Sequence, residues 1–109
     1  MIYTPDKWIV LEIKEFGEKI YKVLAGFDGV YTNSGSWRIN SGIISVEQDE
    51  NWIKFHGYSG SCYVCGDDRY GTNPASHMIL GNLLQLGTKF EVMSEDTRWL
   101  MLFENKVHE

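Results

Sequence analysis

Hydrophobic and polar positions alternate along most of the chain in short runs, which is the pattern of β-strands. The runs 8–14 and 19–26 are rich in Ile, Val and Leu and flank the polar turn 15–18, so they predict an opening antiparallel hairpin. Further extended segments are predicted at 36–40, 43–47, 52–56 and 61–65, with a polar turn at 48–51.

One helix is predicted near 74–86. Asn73 can cap it, Pro74 suits the first helical position, and Gly87 can end it in a left-handed conformation. Apolar residues recur at helical spacing and form a stripe: Ala75, Ile79, Leu83 and Leu86, widened by Met78 and Leu84. This stripe predicts that the helix packs on a sheet.

Two final strands are predicted at 88–93 and 97–103, on either side of the polar turn 94–96. The resulting order is five strands, the helix and two strands. It predicts an α+β fold, mainly an antiparallel sheet of about seven strands arranged as a roll or small barrel, with one covering helix. No linker, repeat or low-complexity block interrupts residues 1–109, so we expect a single domain.

Composition and charge exclude several classes of protein. A chain of 109 residues can bury a core without metal or disulfides, and an aromatic content of 14% argues against disorder. Ten Lys and Arg stand against fifteen Asp and Glu, with no two basic residues adjacent, so a nucleic-acid polymer is not expected as a partner. The chain has no membrane-length apolar stretch and its first residues lack a secretion-signal pattern, so we expect a cytoplasmic location and no membrane partner.

Glycine, serine and aromatic residues crowd the middle of the chain, where most of the eleven glycines lie. This density predicts close backbone approach by a ligand or partner, although tight turns and core aromatics would also produce it. We expect two lips of one site, at 31–42 and 57–73. The second lip ends at the helix start, where backbone N–H groups and the helix dipole attract anions.

Within these lips, two arginines could bind phosphate and several aromatic rings could stack on a base. The expected ligand-binding residues are Trp37, Arg38, Asn40, Tyr58, Ser59, Ser61, Arg69, Tyr70, Thr72 and Asn73; Tyr31 and Tyr63 are further stacking candidates. Neither GxGxxG nor GxxxxGK[ST] occurs, so no cofactor is expected.

The two cysteines allow a metal site or a nucleophile, but the pattern for each is incomplete. Cys62 and Cys65 have the spacing of a zinc knuckle, with His56 and His77 as further ligands. Residues three apart on a strand face opposite sides, however, so free thiols are the simpler interpretation. As a nucleophile, Cys65 would have its thiolate disfavoured by the neighbouring acidic residues 67–68.

The segments SWRINSGI at 36–43 and GYSGSCYVC at 57–65, followed by Tyr70 and Gly71, resemble short uncharacterised accessory proteins of tailed bacteriophages. The resemblance covers about the middle half of the chain and supplies no established active site. It implies a protein of the host cytoplasm that blocks a host protein or sequesters a nucleotide signal of bacterial immunity.

These features of the sequence support three hypotheses about function. The first is a non-enzymatic protein that binds a small anionic ligand, for which we expect a nucleotide. The alternative is an acidic interaction module that inhibits a host protein, for which fifteen acidic residues are available. The second alternative is a small metal- or cysteine-dependent enzyme. A homodimer is also expected, with aromatics such as Trp52 or Trp99 at the interface.

Overall fold

Two β-sheets and two helices make up the computed structural model, which describes residues 1–29 and 35–104. The strands are β1 Ile2–Tyr3, β2 Lys7–Glu15, β3 Glu18–Phe27, β4 Ser36–Ile39, β5 Ile43–Gln48, β6 Trp52–Gly57, β7 Cys62–Gly66 and β8 Phe90–Val92. The helices are α1 Pro74–Gln85 and α2 Trp99–Glu104.

The first sheet, with order β4-β3-β2-β8, is built around the long hairpin of β2 and β3. The pairing is continuous from Lys7 opposite Gly26 to Glu15 opposite Glu18. Phe16 and Gly17 close the turn with φ values of 51° and 78°, the left-handed pair that two-residue hairpin turns favour. The short strands β4 and β8 add antiparallel edges.

The second sheet has the order β1-β7-β6-β5. Strands β5, β6 and β7 are antiparallel, whereas β1 pairs with β7 in parallel. The register of β5 against β6 shifts between Ile43 and Ser45, which is the irregularity of a β-bulge.

The two sheets pack face to face across an aromatic core. Core residues come from both sheets and from α2: Trp8, Val10, Tyr21, Val23, Ala25, Ile43, Ile53, Phe55, Tyr63, Cys65, Trp99 and Phe103. Trp8 lies at the centre, with its ring centroid 5.4 Å from that of Phe55 and 5.8 Å from that of Trp99. Its indole N–H donates to the carbonyl of Gly66 at 2.7 Å, which satisfies its buried donor.

Helix α1 covers the opposite face of the first sheet. A second buried cluster lies beneath it, formed by Ile9, Leu11, Ile13, Leu24 and Ile79. The molecule therefore has three layers: the second sheet, the first sheet and α1. No helix in the ranges 1–29 and 35–104 is long and apolar enough to cross a membrane.

These observations confirm an α+β fold with mainly antiparallel strands and a covering helix. The hairpin, the strands at 36–40, 43–47, 52–56, 61–65 and 88–93, and the helix with its Asn73 cap and Gly87 end all have counterparts in the structure.

Three expectations were wrong. The segment 97–103 is not a strand, because α2 occupies 99–104 and buries Trp99 and Phe103 one helical turn apart. Trp99 is thus a core residue and cannot line a subunit interface. On α1, the predicted stripe is narrower than expected: Met78, Leu84 and Leu86 are exposed.

Candidate functional site

The two predicted lips meet where the loop between β4 and β5 touches the turn between β6 and β7. The N–H of Tyr58 donates to the carbonyl of Gly42, and the N–H of Ser59 donates to the Ser41 hydroxyl, both at 3.0 Å. Gly42 has a φ of 135°, and a Cβ placed on it would lie 2.9 Å from the Tyr58 ring. Glycine is needed here both for its backbone conformation and for the close approach of Tyr58.

An open cleft of ≈600 Å³, named here the Tyr58 cleft, lies at this junction. Its lining residues are Glu18, Lys19, Ile20, Tyr21, Ser41, Ile43 and Tyr58. Tyr58 is 70% exposed, so much of its ring is accessible to a ligand. Among the described residues, Lys19 is the one cation of this lining, and its amine lies 3.8 Å from a carboxylate oxygen of Glu12.

Tyr21 lies deeper in the cleft wall and donates its hydroxyl to Glu12 at 3.2 Å. Burial, followed by the nearby Glu12 carboxylate, raises the pKa of Tyr21. Its hydroxyl therefore stays protonated at neutral pH and acts as a hydrogen-bonding group.

Asn40 is buried behind the same loop. Its backbone N–H donates to the carbonyl of Val23 at 3.1 Å, and its side-chain Oδ1 accepts from the N–H of Val23 at 2.9 Å. Its Nδ2 has no hydrogen-bond partner among the described residues. A Cβ placed on Gly57 would lie 3.4 Å from three polar atoms: Asn40 Nδ2, the Ser41 hydroxyl oxygen and the Gly42 carbonyl oxygen. Asn40 thus fixes the loop that carries Ser41.

Trp37 and Arg38 lie outside the lining of the Tyr58 cleft and on opposite faces of β4, because neighbouring strand residues alternate. The Arg38 guanidinium lies 4.4 Å from the centroid of the Tyr3 ring, on the side of the second sheet. Trp37 lies on the face of β4 that is turned toward α1, as Ile39 does. One small ligand could not use both side chains in the manner expected from the sequence.

Arg69 lies at a different place, near the end of the second sheet. It lines a smaller cleft of ≈270 Å³ with Asn51, Trp52, Gly66, Asp67 and Asp68. Its Nε lies 4.0 Å from a carboxylate oxygen of Asp68. Ser61 belongs to the turn between β6 and β7, where its carbonyl accepts from the N–H of Gly57 at 2.9 Å.

The start of α1 is capped from within. Pro74 contributes no N–H, the Asn73 side chain accepts from the N–H of Ser76 at 2.8 Å, and the Asn73 carbonyl accepts from the N–H of His77 at 2.9 Å. Ala75 and Ser76 are buried. Few donors are therefore presented to an anion at this terminus.

Tyr70 and Thr72 have partners within the protein. The Tyr70 hydroxyl donates to the carbonyl of Met93 and accepts from the N–H of Val10 at 3.2 Å. Burial raises the pKa of Tyr70. The Thr72 hydroxyl lies 3.4 Å from Nδ1 of His77. Tyr70 is thus a packing residue that links β2 to the segment after β8.

The cysteines do not share a site. Cys65 faces the core, whereas Cys62 pairs with His56 on the outer face of the second sheet. Burial raises the pKa of both thiols, most strongly that of Cys65, so both are protonated and weakly nucleophilic at neutral pH. His56 lies 2.6 Å from a carboxylate oxygen of Glu47, and its hydrogen bond lowers the pKa of Glu47.

His77 lies on α1, away from that strand pair. In the part of the chain that the structure describes, no three His, Cys, Asp or Glu residues are grouped to hold a metal ion. The geometry thus gives no support to a zinc site at Cys62, Cys65, His56 and His77. Tyr63 has a structural role, because its side chain is buried in the core. This burial also raises the pKa of Tyr63 to about 12.

Of the expected residues that the structure describes, only Tyr58 lines the Tyr58 cleft, and Ser59 and Asn40 form hydrogen bonds that hold its wall. Tyr31 lies outside the described residues. Sequence reasoning missed the contribution of the β2–β3 hairpin, namely Glu18, Lys19, Ile20 and Tyr21. The polar and apolar alternation of the hairpin gave no sign that its end would face the second lip.

No protein family model, curated protein or solved structure matches this chain.

Proposed function

We propose that this chain is a non-enzymatic protein that binds a small ligand in the Tyr58 cleft. The observation that supports it is the meeting of the two glycine-rich lips beside an exposed aromatic ring. The cleft volume of ≈600 Å³ falls within the range of small-molecule sites, about 300–1,000 Å³. Hydrogen bonds that join the β4–β5 loop to β3 and to the β6–β7 turn hold the wall in place before a ligand arrives.

The lining favours a ligand with a planar ring and few negative charges. Tyr58 offers a face for stacking, Ser41 offers a hydroxyl, and Lys19 supplies a single positive charge beside Glu18. Such a lining suits a cyclic or monophosphate nucleotide better than a triphosphate. The resemblance to phage accessory proteins adds a context, in which the protein sequesters a nucleotide signal of host immunity.

Calorimetric titration with cyclic nucleotides, monophosphates and triphosphates tests this proposal. We expect Tyr58→Ala to weaken binding about 5- to 150-fold, because base stacking on an aromatic ring contributes about 1–3 kcal/mol. Lys19→Ala should weaken the binding of phosphorylated ligands and leave the binding of the corresponding nucleosides unchanged. Trp37→Ala and Arg69→Ala serve as matched controls outside the cleft and should bind like the unaltered protein.

Two results would contradict the proposal. One is that no nucleotide binds to the protein or stabilises it. The other is that Tyr58→Ala binds the nucleotide with unchanged affinity while Arg69→Ala or Trp37→Ala binds it more weakly. That result would place the binding site on another surface.

A second function, inhibition of a host protein by an acidic surface, is favoured by a different observation. Acidic residues of two turns lie together at one end of the second sheet: Asp49, Glu50, Asp67 and Asp68. The N–H of Asp67 donates to the carbonyl of Asn51 at 3.0 Å, which joins the two turns. The exposed Trp52 lies between them. This acidic end, the four acidic residues of the two turns with Arg69 beside Asp68, could occupy a basic site on a partner.

Affinity capture from bacterial lysate tests the acidic end. We expect a stoichiometric partner that is released by salt and that the double variant Asp67→Asn, Asp68→Asn no longer retains, because neutral side chains lose the charge attraction. Glu15→Gln with Glu18→Gln, at the distant hairpin turn, should retain it. Capture that is equal for both double variants would exclude the acidic end as the contact surface.

A further inference from the structure

The outward face of α1 carries no Asp, Glu, Lys or Arg and is centred on a glycine, with two large apolar side chains and two polar ones around it. At 100° per residue, Gly81 lies opposite the buried Ile79 side, and the residues one turn away on either side of it are His77, Met78, Leu84 and Gln85. Met78 and Leu84 are 59% and 68% exposed. Two large apolar side chains therefore border a shallow notch at Gly81 on the surface of the helix.

Nothing inside the described protein requires glycine at this position. A Cβ placed on Gly81 would meet no atom within 4 Å, and the residue lies within the helix with no positive φ. Glycine in the middle of a helix is destabilising relative to alanine. A surface that must be approached closely by another backbone does require it.

The same face is free of charge. No Asp, Glu, Lys or Arg occurs between Arg69 and Lys89, although the chain carries a net charge of -5. Two copies of an acidic protein repel each other over most of their surfaces. They meet with the least repulsion at a neutral one, where burial of apolar side chains is also favourable.

Apolar residues continue beyond the helix on the same side of the molecule. Trp37 shares its strand face with Ile39, and Val92 pairs with Leu11. Ile39 and Leu11 belong to the cluster beneath α1. Trp37, Val92 and Leu86 are all exposed. A helix of this length spans only about 18 Å, so these flanking residues supply the additional area that a stable interface needs.

We propose that a second copy of this chain binds here, with the two α1 helices crossing at Gly81 about a two-fold axis. In such an isologous contact, Met78 and Leu84 of each copy pack beside the notch of the other. The proposal does not depend on the Tyr58 cleft, because no residue of α1 lines that cleft.

Sedimentation velocity and native mass spectrometry of the full chain, from micromolar to millimolar concentration, test the dimer. We expect the unaltered protein to form a dimer and the double variant Met78→Glu, Leu84→Glu to remain monomeric, because like charges would face each other across the axis. Leu100→Glu, at a residue of α2 that is 42% exposed, is the matched control and should still dimerise. Ligand titration of the monomeric variant shows separately whether the Tyr58 cleft functions.

Gly81→Ala distinguishes an interface role from a structural one. We expect the monomer, studied at low concentration, to melt about 4 °C higher because alanine favours the helix. We expect the dimer dissociation constant to rise at least about tenfold, because a methyl group separates the crossing helices.

An unaltered protein that is monomeric at every concentration would overturn the proposal, and so would a dimer that dissociates in Leu100→Glu but not in the α1 double variant. Equal dissociation constants for Gly81→Ala and the unaltered protein would exclude a crossing at Gly81.

Discussion

Asn73 shows how one side chain can join separate elements of this fold. Its Oδ1 caps α1 by accepting from Ser76, while its Nδ2 donates to the carbonyls of Phe27 and Ser36 at 3.1 Å and 3.4 Å. The side chain therefore ties the helix start to both β3 and β4. A Cβ on Gly26 would lie 2.7 Å from it, so the neighbouring strand leaves space for the amide.

We predict that Asn73→Ala lowers the free energy of unfolding by about 2–3 kcal/mol, because it removes the cap and leaves strand carbonyls without a donor. Asn73→Ser should lower the free energy of unfolding by less, since serine restores the cap but cannot reach β3 and β4. Urea denaturation measures both. Asn82→Ala, an exposed position on the same helix, should change stability by less than about 0.5 kcal/mol. If Asn73→Ala is as stable as the unaltered protein but binds ligand more weakly, Asn73 belongs to a binding site after all.

The sequence reveals local roles of single residues better than distant ones. The cap was predictable from Asn73 followed by Pro74, because its partners lie within one turn. The contact with Phe27 spans 46 positions and has no local signature. Tyr70 is similar, since its partner Met93 lies 23 positions away. For this reason the sequence assigned ligand roles to residues that the fold uses for packing.

At the level of elements, the strands were predictable wherever one face is buried and the other exposed. Strand β6 alternates in this way, with Ile53 and Phe55 in the core and Trp52 and Lys54 exposed. Strand β1 was missed because it has two residues and pairs in parallel with a segment sixty positions away. Such a short strand carries no periodic pattern of its own.

Helix α2 was mistaken for a strand because its residues, mostly large and apolar, are also common in strands. The decisive signal was the spacing of its two buried residues. Trp99 and Phe103 lie four positions apart, on one side of a helix, and Leu100 and Met101 between them are exposed. In a strand, Trp99 and Met101 would instead share a face. The backbone N–H of Leu102 donates to the carbonyl of Arg98 at 3.0 Å, in agreement with helical pairing.

At the level of the whole molecule, the two sheets enclose a core whose side chains are buried from solvent. Cys65 and Tyr63 are the two ionisable groups in the described part of this core that are almost inaccessible to solvent, and Tyr21 is a third core group with slightly more exposure. Burial disfavours a charged thiolate or phenolate, so both pKa values rise, that of Tyr63 to about 12 and that of Cys65 well above its ordinary value of 9.0. The folded protein therefore holds protons in alkaline solution that the unfolded chain releases.

This difference in proton binding predicts that stability is lost at alkaline pH. Because the folded pKa of Cys65 is raised, its contribution to stability is fully present below pH 9.0 and declines as the pH rises. The slope approaches about 1.4 kcal/mol per pH unit for one group. Above the ordinary tyrosine pKa of 10.0, Tyr63 adds to the decline.

Cys65→Ala isolates the contribution of the thiol. Its absolute stability will be lower because the smaller side chain leaves a core cavity, so the quantity to compare is the dependence of the free energy of unfolding on pH, from urea denaturation between neutral pH and pH 10. We expect the decline above pH 9 to flatten by up to about 1.4 kcal/mol per pH unit. Cys62→Ala, which removes a partly exposed thiol, should flatten it much less. An unchanged slope in Cys65→Ala would show that the core admits water at Cys65, and that the sheets separate there more readily than the packing of Trp8, Phe55 and Trp99 implies.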